Sequence, residues 1–218
     1  MFRWLKRGVA GGGGTFSRST SLDALRYVVL DTEMTSLDQR SNRLLSIGAI
    51  GMDGAKIIIG KQFYRAVNPG VPVPPETVVI HRIRSEDVES GQSCAEALED
   101  LCRFVEGAVL VGHFVTLDLK LLKKEMEATG HKLNNPAIDT ARVHQWLLRH
   151  GSCSEDLHIQ LERLDLASVA KCYGLRSRDA HHALEDAFTT ARLWQVMMRK
   201  AQVQGIYTFG KLLRIAEA

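Results

Sequence analysis

A chain of 218 residues fits one domain with short appendages. Its hydrophobic fraction of 45% and charged fraction of 24% suit a globular protein, and no apolar run approaches the roughly 20 residues that span a bilayer. The net charge is only +3, and Arg3, Lys6, Arg7, Arg18 and Arg26 stand against Asp23 alone near the N-terminus, so the remaining body is slightly acidic. Nucleic-acid binding by bulk charge is thereby excluded for the body; a polyanion must be held locally or through metal.

Residues 1–22 are basic and carry a run of four glycines, the composition of a flexible leader. They lack the long apolar core and small-residue cleavage site of a secretory signal, so a cytoplasmic location is expected. Strands are predicted over 26–31, 43–51 and 56–64, the last two joined by Met52-Asp53-Gly54, a hairpin-turn signal. A Pro-rich loop, NPGVPVPPE, precedes short helices near 76–80 and 85–89. Ala97, Leu98, Leu101, Cys102 and Val105 mark one face of a helix over 94–106. AVLVGH, 108–113, reads as a short buried strand. Leu117, Leu121, Leu122 and Met126 form the apolar face of a helix over 117–128. A brief strand at 137–140, a helix to about 149, a loop (HGSCSEDLHIQLER) and helices over 165–173 and 182–202 follow. Residues 205–218 read as a C-terminal tail. A three-strand meander followed by strand–helix alternation predicts an α/β domain over 23–204, a mixed five-stranded sheet with helices on both faces. Cys94, Cys102, Cys153 and Cys172 form no C-x-x-C pair and read as free thiols.

In RYVVLDTEMTSLD, four apolar residues run into Asp31, and Glu33 follows. Strand alternation puts both carboxylates on one side if the chain stays extended. Asp118 lies in the first turn of a helix after a buried strand. Asp186 lies early in the last long helix, among the small residues Ala183, Ala187 and Thr190. Singly, each acid has a plain role as a turn cap, a partner of the helix dipole or a solvated face. Together they sit at strand ends and first helical turns, where α/β sheets gather their sites. Four carboxylates in one cleft cannot all ionise without cations between them. Hard oxygen ligands favour magnesium or manganese, and two such ions form a clamp for phosphoryl transfer. An EF-hand is excluded, because Ser36 stands at the glycine position and Asn42 at the terminal glutamate position.

These motifs resemble those of the DnaQ-like (DEDDh) 3′–5′ exonucleases, the family that includes the epsilon proofreading subunit of bacterial DNA polymerase III. D-x-E matches through Asp31 and Glu33, VGHFVTLD through Asp118, and HHALEDA through Asp186. PPETVVIHRIRSEDV and AIDTARV are similar to two further family segments, so the resemblance covers about residues 26–202. It implies a ribonuclease H-like fold, two divalent ions (Mg²⁺ or Mn²⁺) held by Asp31, Glu33, Asp118 and Asp186, and stepwise release of nucleoside monophosphates from a 3′ end. Relatives work as homodimers or as polymerase-bound subunits.

A hydrolase that attacks with water benefits from a base titrating near neutrality, which histidine supplies. Helix periodicity alone points to His182, four residues before Asp186. The resemblance points to His181, at the first position of H-x-A-x-x-D. His181 lies ~140° from Asp186 around a continuous helix, so it reaches the metals only if the chain before Ala183 is loop. His113 and His81 match positions near the substrate. Phe114 stands where the family usually has Asn and Leu117 where it has Phe; both approach the substrate. Arg82 and Arg84 replace Gly and Thr, placing two guanidinium groups to hold a phosphate backbone. Met34 and Thr35 follow Glu33, and Met34 with the 76–83 loop is expected to wedge against the terminal base.

The sequence thus predicts a metal-dependent 3′–5′ exonuclease acting on single-stranded nucleic acid, DNA ahead of RNA, with His181, Asp31, Glu33, Asp118 and Asp186 catalytic. The alternative is an RNA-trimming enzyme of the RNase T or oligoribonuclease type, and a further rival is a non-catalytic subunit that docks a polymerase.

Overall fold

The structure is a computed structural model, and it describes residues 16–151, 163–176 and 181–216. Five strands form one sheet in the order β3-β2-β1-β4-β5. Strand β1 (Arg26–Met34) pairs antiparallel with β2 (Leu44–Asp53), which pairs antiparallel with β3 (Lys56–Ala66). On its other side β1 runs parallel to β4 (Val109–Gly112), and β4 parallel to β5 (Ala137–Asp139). The helices are α1 (Pro75–His81), α2 (Ser85–Glu89), α3 (Cys94–Val105), α4 (Thr116–Thr129), α5 (Thr140–Arg149), α6 (Leu166–Cys172), α7 (Ala183–Val203) and α8 (Phe209–Ala216).

Alternation along β1 divides the core into two layers. Tyr27 and Val29 face α5, α7 and α8, packing with Val143, Leu147, Trp194, Met197 and Leu212. Val28 and Leu30 face α3 and α4, packing with Leu98, Leu101, Leu121 and Leu122. Helices therefore cover both faces, as the meander and alternation predict. Trp194 is fully buried and meets the Tyr27 ring edge-on, 5.6 Å between centroids.

The ends of the chain differ from the sequence expectation. The 205–218 stretch contains α8, whose Phe209 packs on Phe16 at 5.6 Å, while Ser21 bridges to Thr208 and Leu22 is fully buried. Phe16 and Leu22 therefore tie the 16–22 stretch to the core; 1–15 lie outside the described residues. The apolar spacing Phe209, Leu212, Ala216 had the helical period but was too short to stand out from a tail. Strand β1 also runs three residues past the predicted end at Asp31, through Glu33 to Met34. Cys94 and Cys102 are free thiols; Cys153 and the 152–162 loop lie outside the described residues.

Candidate active site

The end of β1 is flanked by a helix on each face, and alternation decides which acids meet there. Asp31 and Glu33 continue the row of Tyr27 and Val29, the side covered by α7. One oxygen each of Asp31, Glu33 and Asp186 lie within 4.8 Å of one another. Thr32 points the opposite way, toward α4, and its N–H and Oγ1 both donate to Asp118 Oδ1, at 2.9 and 2.6 Å. Asp118 thus stands beside the trio with one oxygen tied to β1.

Gly48 explains how α7 comes so near. It pairs with Asp31 across the β1–β2 ladder. A Cβ there would lie 2.2 Å from the backbone of Ala183 and Leu184, at the first turn of α7. Only glycine lets that turn rest on the sheet and carry Asp186 to Asp31.

No lysine or arginine compensates these acids among the described ion pairs. Burial pushes them all up, and repulsion within the cluster adds to it at Asp31 and Glu33. Glu33 rises to about 8, through burial first and then the charges of Asp186 and Asp118. Asp31 is raised well above the carboxylate range by burial and by Asp118, Glu33 and Asp186. Asp118 rises chiefly by burial, against the hydrogen bonds from Thr32, and Asp186 rises by burial, against a bond from the His181 N–H. Carboxylate oxygens converging without a positive partner are a donor set suited to a hard divalent cation.

Helix α7 starts at Ala183 with His182 as its N-cap, so His181 lies in the preceding loop. Its φ is 84°, and its N–H donates to Asp186 Oδ2 at 3.0 Å. That bend turns the two histidines apart. His181 lines the acidic cleft, whereas the His182 ring stacks on Tyr64, 4.9 Å between centroids and 16° between planes.

The cleft, of about 330 Å³, is walled by Met34, Leu37, Thr77, Ile80, His81, His113, Phe114 and Leu117 around Asp31, Glu33, Asp118 and His181. Its apolar rim is exposed at Phe114 (42%) and Leu117 (41%). The His81 ring is buried; Nδ1 accepts from the Ile83 N–H, and Nε2 has no partner. Burial and the neighbouring His181 lower its pKa. Both nitrogens of His113 are occupied, Nδ1 with Thr140 Oγ1 at 2.8 Å and Nε2 with the Leu164 carbonyl at 2.6 Å. Burial keeps that ring toward the neutral form, so it braces the cleft through its neighbours.

Two expected substrate contacts do not line this cleft. Thr35 Oγ1 accepts from the Arg43 N–H, and its own N–H donates to the Arg43 carbonyl, both at 2.9 Å. It therefore closes the neck of the β1–β2 loop. Arg82 lines a neighbouring depression with Tyr64, Asp87, His182 and Glu185. The positions where the family resemblance has Gly and Asn, Arg82 and Phe114, are both left-handed, at φ 58° and 55°. With His181 they are the non-glycine residues of positive φ among those described, and all three border the site. Such strain concentrates where surroundings over-determine the backbone. At Phe114 one such constraint is visible, since its N–H donates to Asp139 Oδ1.

A family model described as Exonuclease matches residues 28–194. The chain belongs to the exonuclease family. A DNA polymerase III subunit epsilon-like protein of Rhodobacter capsulatus is 29% identical over 93% of this chain and 28% of its own length. DNA polymerase III subunit epsilon of Aquifex aeolicus is 26% identical over 77% of this chain and 78% of its own. Among solved structures, E. coli exonuclease I in complex with a dT13 oligonucleotide superposes with a TM-score of 0.70 at 16% identity, over 83% of this chain and 42% of that one. The chain thus has the ribonuclease H-like exonuclease fold, and it spans little more than a quarter of the Rhodobacter protein's length.

Proposed function

We propose that this exonuclease removes nucleoside monophosphates one at a time from the 3′ end of single-stranded DNA, using two divalent ions, Mg²⁺ or Mn²⁺. The observation that carries the reading is the convergence of Asp31, Glu33 and Asp186 within 4.8 Å, with no lysine or arginine paired to them among the described residues and a loop histidine beside them. Asp31, Glu33 and Asp186 would hold the ions, with Asp118 as a fourth ligand. Ions bound there supply Lewis acidity, lowering the pKa of the attacking water and neutralising charge on the departing 3′ oxygen.

The chain's own groups do the rest. The His181 imidazole accepts the proton of the attacking water, and its loop position gives it room to turn toward the phosphate. The water oxygen bonds to phosphorus, the P–O3′ bond breaks, and the 3′ oxygen of the shortened strand takes up a proton. Met34, Ile80, Phe114 and Leu117 offer apolar faces to the terminal base, a sequence-tolerant contact. The names of the polymerase-related proteins support DNA as the polymer and service beside a polymerase as the setting.

Product analysis tests the polarity. A 5′-labelled strand should shorten through a ladder while nucleoside 5′-monophosphates accumulate. Early release of the 5′ label as a mononucleotide, or one internal cut, would contradict it.

A further inference from the structure

A strand whose 3′ end sits in the cleft must leave it over one of the surrounding walls, and the walls differ in charge. The α1–α2 wall exposes Glu76, Glu86, Asp87 and Glu89 against Arg82 and Arg84. Beyond His181, the neighbouring depression presents Asp87 and Glu185 against Arg82. Both sides carry net negative charge and repel a phosphate backbone.

The α4 wall is the opposite. Its exposed face starts at the cleft with Phe114 and Leu117 and continues through Lys120 and Lys123 at three-residue spacing. Within α4 that spacing makes Leu117, Lys120 and Lys123 successive neighbours on the exposed side, while Phe114 precedes the helix. From Leu117 to Lys123 the helix rises only about 9 Å. The face then opens into a depression of about 440 Å³ lined by Lys123, Glu127, His131, Lys132 and Asn134. Asp118 and Glu125 of the same helix are buried, so Glu127 is the exposed acid on α4.

The lysines on this face also differ in what they do. Lys124 is committed, donating to the Asn42 carbonyl and Oδ1 and so latching the β1–β2 loop to α4. The ion pairs of the described residues involve Arg43, Arg65 and Arg103, none of them with Lys120, Lys123 or Lys132. Those three exposed ammonium groups form no ion pair among the described residues, and Lys120 and Lys123 follow Leu117 along α4 away from the cleft.

We propose that the exposed face of α4 is the track for the DNA strand upstream of the cleaved nucleotide, with bases passing over Phe114 and Leu117 and phosphates over Lys120, Lys123 and Lys132. This rests on the exonuclease reading above. It assigns the three lysines a role in holding long substrates and none in the chemistry at the 3′ end.

The test is binding of a 5′-fluorescent dT oligomer of roughly 12 nucleotides to the full chain by anisotropy, across a salt series, with calcium replacing magnesium. Each phosphate contact on a single strand contributes about 0.7 to the slope of log Kd against log salt. Lys120→Ala/Lys123→Ala/Lys132→Ala should lower that slope by about 2 and weaken binding at low salt. Arg82 and Arg84, expected from the sequence to hold the backbone, stand instead on the acidic α1–α2 wall and do not line the cleft, so Arg82→Gly/Arg84→Ala should leave both near the unmodified values. In magnesium, the triple variant should cleave a dinucleotide at the unmodified rate. An unchanged slope in the triple variant, an equal loss in the arginine variant, or no binding by the unmodified protein overturns the proposal. If the unmodified protein cleaves neither the oligomer nor the dinucleotide, it is the exonuclease reading that fails, and the salt slopes still decide the track.

Discussion

Glu33→Gln should make the metal-free protein more stable while destroying its activity. Glu33 carries a folded-state pKa of about 8 against an ordinary 4.5, because it is buried beside Asp186 and Asp118. A carboxylate whose pKa is raised on folding binds its proton more tightly in the folded state. Its cost is therefore absent below about pH 4.5, grows as pH rises, and is complete above about pH 8. At pH 7 the gap of about 2.5 pH units corresponds to roughly 3 kcal/mol. Glutamine keeps the shape and removes the charge but leaves its amide poorly paired, so about 1–3 kcal/mol is recovered. For a domain of this size that raises Tm by roughly 3–10 °C. The assay is calorimetry with chelator at about pH 5 and about pH 8. The variant should exceed the parent at the higher pH and match it at the lower. Adding Mn²⁺ should raise the parent's Tm far more than the variant's. A variant less stable than the parent at the higher pH, or a Tm difference independent of pH, would refute the reasoning.

Three other perturbations read out different parts of the site. Gly48→Ala puts a methyl 2.2 Å from the backbone of Ala183 and Leu184; it should cost about 1–3 kcal/mol and abolish the Mn²⁺-induced rise in Tm, which calorimetry checks. His181→Ala should cut the cleavage rate by about 10²–10⁴, whereas His182→Ala, which loses a stack on Tyr64, should cut it far less in the same single-turnover assay; equal losses would sink the assignment. Arg82→Gly relieves a left-handed backbone at φ 58° and should add about 1 kcal/mol, visible as a higher denaturant midpoint.

The acids of the site were legible because local rules place them. Strand alternation puts Asp31 and Glu33 on one side, so a short window of sequence carries both; His181 rested on the family resemblance, because periodicity alone pointed to His182, and the start of α7 at Ala183 is what leaves it in the loop. Gly48, Tyr64, Thr32 and Asp139 were not singled out, because their roles arise from pairing between distant segments. Gly48 is one more small residue in SIGAIG until β2 is set against β1 and α7. Tyr64 alternates within β3 like any half-buried residue until His182 meets it. Thr35 looked like a substrate contact because it follows the D-x-E motif, but the register shift between Glu33 and Met34 takes the chain out of the ladder there, and Thr35 closes the loop with Arg43. The strain at Arg82 and Phe114 had a faint signature, since they replace the two residue types most at ease in left-handed backbone.

The central claim is that these carboxylates serve metal-dependent cleavage from a 3′ end. One time course tests it most directly: 5′-labelled single strands of DNA and RNA of equal sequence, with Mn²⁺, resolved on a gel for the unmodified protein beside Asp31→Ala. The account predicts a ladder that shortens from the 3′ end, faster on DNA, absent in the variant and absent with chelator. An intact strand with the unmodified protein, or a ladder that survives Asp31→Ala, would contradict it.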